Sequence, residues 1–234
     1  MSDRPELLSI IVPVYNEVGT SRAVIDRLLT IDLPFAREIL VVDDGSTDGT
    51  GEVLDAAVRE HLPIRVLHAQ RNAGKGSAIR EGLRHASGSI IAIQDADLEL
   101  DPCQLAGLVE PILRGAVDVV YGSRFLHGRA GAPFIAFAAN RCLTGITNLL
   151  FGAALTDMET CYKVMRTEVA RSLSLSANRF EIEPEITARL LRRGYRIHEI
   201  PIRFDARSRA QGKKIGWRDG VRAIQVLVAE RFRS

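Results

Sequence analysis

Four apolar runs fall in the first half of the chain: Leu7–Val14 (LLSIIVPV), Glu38–Val42 (EILVV), Ile64–Leu67 and Ser89–Ile93. None shows the polar–apolar alternation of a half-exposed strand, so each reads as a strand buried on both faces. Helical spacing follows each of the first three, through Val24, Ile25, Leu28 and Leu29, then Val53, Leu54, Ala57 and Val58, then over Ala78–Ala86 behind a glycine-rich loop Gln70–Ser77. Buried strands alternating with helices predict an α/β fold, a mostly parallel central sheet flanked by helices. In such sheets ligands sit beyond the carboxyl ends of the strands. Here those ends are polar: Tyr15-Asn16-Glu17 after the first run, Asp43-Asp44-Gly45-Ser46 after the second, and Gln94-Asp95-Ala96-Asp97-Leu98-Glu99 after the fourth.

Composition narrows the function. The 234 residues carry a net charge of only +2, which gives no footprint for nucleic acid, although Arg203 to Arg233 is locally basic. Cys103, Cys142 and Cys161 are odd in number and widely spaced, which suits a reducing compartment and neither a disulfide framework nor a zinc site. MSDRPELLS has no apolar signal core, and no uninterrupted apolar run approaches the roughly 20 residues of a membrane span. The expectation is a cytoplasmic chain with no transmembrane domain.

Asp95 and Asp97 stand two apart at a strand end, so both can face one hard cation; the same pair suits a solvated acidic turn. NAGKGS is not a P-loop, having Ala69 where the first glycine belongs and Gly76 where Ser or Thr belongs. PVYNEVG likewise lacks the dinucleotide-binding glycines. Lys75 can meet a diphosphate as a point charge or stand in solvent. His61, His68, His85, His127 and His198 are scattered and read as structural or surface residues.

In order, IIVPVYNE, VVDDGSTDGT, NAGKGSAIREGL, QDADLE, VVYGSRF, DMETCYKVMR, FEIEPEITARLLRRGYRIHEIPI and GKKIGWRDG span nearly the whole chain. This ordered set resembles the family 2 glycosyltransferases with the GT-A fold, and within them the dolichyl-phosphate mannose synthase and polyprenyl-phosphate hexose synthase branch. The resemblance implies one catalytic domain over 1–234, with a nucleotide-binding half (1–100), an acceptor half (101–202) and a basic loop with an amphipathic helix (203–234). It implies that Pro13, Tyr15 and Glu17 cradle a nucleoside, that Asp44 contacts its base or ribose, and that Lys75 approaches the nucleotide. Asp95 and Asp97 then match the D-x-D pair that binds Mg²⁺ or Mn²⁺ on the donor diphosphate, with Asp97 also counted as catalytic. Glu99 stands where the branch usually has Gln and is a candidate third metal ligand.

The implied reaction is inverting transfer of mannose or glucose from GDP-mannose or UDP-glucose to polyprenyl phosphate. A phosphate acceptor needs cations and no general base. Arg124 matches an arginine that reaches the acceptor, and Arg141 is a second candidate in apolar surroundings. Arg207, Arg209, Lys213 and Lys214, with Gly212 as hinge, are implied to form a lid over both phosphates. An alternative transfers to a soluble or glycolipid hydroxyl with a carboxylate base, for which Asp157, Glu181 and Glu183 are candidates. A catalytically silent sugar-nucleotide-binding domain is the third reading.

Two segments bear on the membrane. Pro133–Leu155 reads either as an interfacial helix sheltering a polyprenyl chain or as a buried core helix. Trp217–Phe232 has helical spacing through Val221, Ile224, Val228 and Phe232 with arginines interspersed, suited to an anionic membrane face, a domain cap or a subunit contact. A lipid acceptor is expected to be met peripherally or through a membrane partner protein. Ile182, Ile186 and Leu190 form a packing stripe, which assigns Glu181 and Glu185 first to the scaffold.

Overall fold

The computed structural model describes residues 6–60, 64–129, 131–205 and 216–233. Its strands are β1 (Leu7–Val14), β2 (Ala36–Asp43), β3 (Ile64–His68), β4 (Ile90–Ile93), β5 (Val119–Ser123), β6 (Lys163–Arg166) and β7 (Ile197–Pro201). They form one sheet in the order β3-β2-β1-β4-β6-β5-β7. The helices are α1 (Ser21–Thr30), α2 (Thr50–Glu60), α3 (Lys75–His85), α4 (Leu105–Leu113), α5 (Phe134–Phe151), α6 (Thr167–Ser172), α7 (Ile182–Arg192) and α8 (Trp217–Phe232).

The apolar runs became strands because their side chains are shut away on both faces: Leu8, Ile10, Ile39 and Ile90 on one face and Ile11, Leu40 and Ile91 on the other are buried. β1, β2, β3 and β4 run parallel, with Ile11 opposite Leu40 on one side and Ile93 on the other. Chain order reverses between β1 and β4, which places a crevice beyond their carboxyl ends. β6 is antiparallel to both β4 and β5, and β7 rejoins β5 in parallel. The match to the expected α/β architecture is close.

Three local readings need correction. β2 starts at Ala36, because Ala36 and Arg37 pair with Leu7 and Leu8. α3 starts at Lys75, because Gly74 (φ +104°) turns the chain into the helix there and an added Cβ would lie 2.5 Å from the Asn178 carbonyl. Lys75 is therefore anchored at a helix start. The third concerns α5, of whose two readings the buried core helix falls. α5 buries Asn140, Thr144 and Thr147 and exposes Phe134, Ile135 and Leu149 (68%, 82% and 85%), so it is not a core helix. In α8 the inner residues are Ala223, Leu227 and Glu230, while Val221, Ile224, Val228 and Phe232 face outward. Among the described residues, α5 is the one helix long and apolar enough to cross a membrane, by length and composition.

α3 lies close on β1 through Gly82, where a Cβ would stand 2.5 Å from Ile11 Cγ2. Ile11 is β-branched and fully buried, so it cannot swing aside. An exposed helix gains about 1 kcal/mol from Gly→Ala, whereas overpacking a core costs about 1–3 kcal/mol. Gly82→Ala should therefore lower stability in urea denaturation, and combining it with Ile11→Ala should cost less than the two single losses added together. Simple additivity of the two changes would refute the close contact.

Candidate active site

A cavity of about 430 Å³ opens where β1, β2 and β4 end. Pro13, Tyr15, Glu17, Asp44, Lys75, Asp95, Asp97, Glu99, Arg124 and Glu183 all line it. Residues read separately along the sequence therefore share one space. The loops after β1 and β2 are laced together, with the Asn16 amide donating to Ser46 Oγ (2.9 Å), the Thr47 amide to Asn16 Oδ1 (2.8 Å) and the Glu17 amide to Thr50 Oγ1 (3.0 Å). Asp44 has a task the sequence did not disclose: its two carboxylate oxygens accept from the Ala73 (2.9 Å) and Gly74 (2.7 Å) amides and pin the loop that leads into α3.

That pinning sets Lys75. Its Nζ lies 2.7 Å from Asp95 Oδ1 and 2.9 Å from Glu183 Oε1, and the other Glu183 oxygen meets the fully buried Lys163. Burial opposes the charge on Lys75, but Asp95 foremost, with Glu183, holds the ammonium well above the usual lysine range. Burial likewise pushes the Asp95 carboxyl up, and Lys75 more than cancels it, leaving Asp95 below the usual range. Glu183 thus sits between two lysines, with one carboxylate oxygen facing each.

The acidic segment after β4 is held as a rigid turn. Gln94 Nε2 donates to the carbonyls of Asp95 (2.9 Å) and Leu100 (3.3 Å), Tyr162 donates its hydroxyl to Gln94 Oε1 (2.6 Å), and Thr20 Oγ1 donates to the Ala96 carbonyl (2.7 Å). Leu98 adopts a left-handed φ of 61° within it, and the Glu99 amide donates to Asp97 Oδ1 (3.1 Å). Among the described residues no three His, Cys, Asp or Glu side chains gather into a ready-made metal cage. Two hard carboxylates at a cavity edge fit a Mg²⁺ or Mn²⁺ ion that takes its other ligands from phosphate oxygens and water. Asp95, Asp97 and Glu99 all border the cavity there, and Asp95 is also paired with Lys75.

Arg124, just after β5, is gripped by Asp157. Its Nε donates to Oδ2 (2.7 Å), its NH2 to Oδ1 (2.8 Å) and its backbone amide to Oδ2 (3.1 Å). Asn140 of α5 donates to the same carboxylate (2.8 Å), and the Phe125 and Phe204 rings each lie 5.2 Å from the guanidinium carbon. The Thr156 and Asp157 amides in turn donate to Glu199. Burial raises the Asp157 carboxyl, but Arg124 outweighs it and keeps Asp157 ionised below its usual range. Asp157 is not among the residues that line the cavity, and Arg124 engages both of its carboxylate oxygens. Arg141 is also outside the cavity, exposed on α5 with its guanidinium near the Thr156 carbonyl (3.4 Å). Glu185 caps the Ser176 and Ala177 amides, the scaffold role expected of it. His61, Arg207, Arg209, Gly212, Lys213 and Lys214 lie outside the described residues.

Sequence reasoning passed over Glu159, Cys161, Arg179 and Phe204, which also line the cavity. Glu159 was visible inside DMETCYK, two residues from Asp157, but an acid in a turn carries no signal of which way it points.

Residues 9–173 match the family model described as Glycosyl transferase family 2. The chain is 30% identical over 227 residues to undecaprenyl-phosphate mannosyltransferase of Micrococcus luteus, covering 92% of this chain and 90% of that protein. It is 28% identical to Glycosyltransferase AglD of Haloferax volcanii over 85% of itself, yet spans only 33% of that relative's length. Among solved structures, glucosyl-3-phosphoglycerate synthase of Mycobacterium tuberculosis, in complex with Mn²⁺, UDP-glucose and phosphoglyceric acid, superposes with a TM-score of 0.74. That match covers 97% of this chain and 80% of the other at 22% identity, a likeness of fold.

Asp157→Asn should cost about 3–5 kcal/mol at neutral pH by leaving Arg124 buried without its counter-charge. Because the folded Asp157 pKa is depressed, its contribution is complete above about pH 4 and disappears as pH falls through the folded value. Urea titrations of wild type and variant should therefore converge in acid; a constant gap would argue against the ion pair.

Proposed function

The chain belongs to glycosyltransferase family 2, and on that premise we propose that it transfers a hexose, with inversion, from GDP-mannose or UDP-glucose to polyprenyl phosphate. The observation that carries this reading is the setting of Arg124. The cation lines the cavity, locked in orientation by Asp157, and its flanking Phe125 packs edge-on against Phe137 of α5 with ring centroids 5.1 Å apart. Phe134 and Ile135 of the same helix are exposed. A phosphate head and an apolar tail thus find adjacent, matching surfaces. Asp157 and Glu183 are both ion-paired, which favours an acceptor that is already ionised over a hydroxyl needing either of them as base.

In this reading Pro13, Tyr15 and Glu17 hold the nucleoside and Lys75 approaches the diphosphate. Asp97, with Glu99, would hold Mg²⁺ or Mn²⁺, which supplies charge neutralisation to the departing diphosphate. An oxygen of the lipid phosphate, oriented by Arg124, attacks the anomeric carbon. The bond to the nucleoside diphosphate breaks, and its electron pair leaves on the diphosphate oxygen. The whole described chain acts as one unit, with membrane contact through the outward faces of α5 and α8.

Radiolabelled GDP-mannose or UDP-glucose, incubated with polyprenyl phosphate in vesicles, should yield an organic-extractable, mild-acid-labile product, reduced about 100-fold or more by Arg124→Met. Donor consumption with no extractable label would redirect the reading to a hydroxyl acceptor. No turnover with any acceptor would leave a silent binding domain. Because the described carboxylates form no closed cage, Mn²⁺ alone should shift Tm by less than about 1 °C, whereas nucleoside diphosphate with Mn²⁺ should raise it several-fold more. A large shift with metal alone would contradict a site completed by the diphosphate.

A further inference from the structure

Among the described residues of the cavity wall, Glu159 has a buried side-chain oxygen with neither a hydrogen bond nor an ion pair, whereas Glu183 Oε1 at least faces Lys75. Glu159 Oε1 is shut off from solvent and accepts no hydrogen bond in the structure. Leaving a buried acceptor unsatisfied is costly, and the cost is greater for a charged group. The charges that face Glu159 are Lys163 on β6, Glu183 on α7, and Arg124 and Asp157 between β5 and β6. Neither cation hydrogen-bonds Glu159: Arg124 forks onto Asp157, and Lys163 donates to Glu183 and to the Met158 and Thr160 carbonyls. Glu159 also sits between two functional neighbours in sequence. Asp157 orients the cation proposed for the acceptor, and the Cys161 thiol donates to the Ile93 carbonyl at the end of β4 (3.9 Å).

We infer that Glu159 is a specificity-determining residue whose carboxylate accepts a hydrogen bond from a hydroxyl of the donor's hexose. This rests on the proposed transfer from a nucleoside-diphosphate sugar. A phosphate on Glu159 Oε1 would set acceptor against acceptor, with the Asp157 and Glu183 carboxylates also facing that residue. A sugar hydroxyl is a neutral donor and satisfies the lone Oε1 without adding charge.

The free protein bears a signature of this arrangement. Burial pushes the Glu159 carboxyl up to about 7, with Glu183 and Asp157 adding to the effect and Lys163 and Arg124 opposing it. A folded pKa above the unfolded value means that stability falls as pH rises between the two, with the full penalty present above the folded value. Removing the charge therefore stabilises the empty protein in base while removing the sugar contact.

The test is calorimetric titration of UDP, UDP-glucose, GDP and GDP-mannose, with Mn²⁺, into wild type, Glu159→Gln and Glu159→Ala, paired with urea denaturation at about pH 5 and about pH 8. The expected result is loss of the affinity that the sugar adds beyond the nucleotide, about tenfold in Glu159→Ala, with nucleotide affinity unchanged. Glu159→Gln should be the more stable protein at the higher pH. Three results would overturn the inference alone: unchanged sugar-dependent affinity with a collapse of transfer, which would make Glu159 a base toward a hydroxyl; equal loss for nucleotides and sugars with lowered stability, which would make it scaffold; or a wild type that binds nucleotide and nucleotide-sugar equally. A wild type that binds none of the four would overturn the proposed function, and this inference with it.

Discussion

The site depends on a buried alternation of charge, Asp95–Lys75–Glu183–Lys163, that runs from the end of β4 through the first residue of α3 to α7 and β6. Each carboxylate faces an ammonium, and the fully buried Lys163 has two backbone carbonyls as well. Deleting any member would strand its neighbour as an uncompensated charge, a loss of about 3–5 kcal/mol for a buried pair. The array joins the parallel half of the sheet to the part built around antiparallel β6, so the same contacts that fix the cavity's chemistry also fix how the two parts meet.

Much of the cavity rim at the ends of β1, β2 and β4 was legible in the sequence because it follows from one rule. Buried parallel strands place their carboxyl-end residues on a common edge, and Tyr15, Asp44 and Asp95 follow such strands directly. The acceptor side was less legible. Hydrophobic runs carry no direction, so nothing in KVMR announced that β6 runs against its neighbours. Asp157 and Glu183 read as candidate bases because sequence shows a carboxylate but not the arginine or lysine it faces. Glu159 escaped for the converse reason: a missing partner leaves no trace in sequence.

Helices α5 and α8 mislead in another way. Apolar periodicity identifies a stripe, and for most helices of a folded domain that stripe faces the core. In α5 the polar stripe is the inner one, because Asn140, Thr144 and Asn148 bind the segment 155–158: Asn140 donates to Asp157, Thr144 accepts from the Met158 amide, and Asn148 exchanges two hydrogen bonds with Leu155. α8 is tied through Glu230 to Arg189 and Arg192 of α7, again a polar fastening beneath an outward apolar surface.

The inverted polarity of α5 has a mechanical corollary. The helix that offers Phe134 and Ile135 to its surroundings also supplies the amide that steadies the Asp157 carboxylate, and that carboxylate aims Arg124. A rotation of α5 about its axis would therefore turn outer contact into a change of aim at the guanidinium. Outer surface and reactive centre act as two ends of one short lever, whose fulcrum is the hydrogen bond from Asn140.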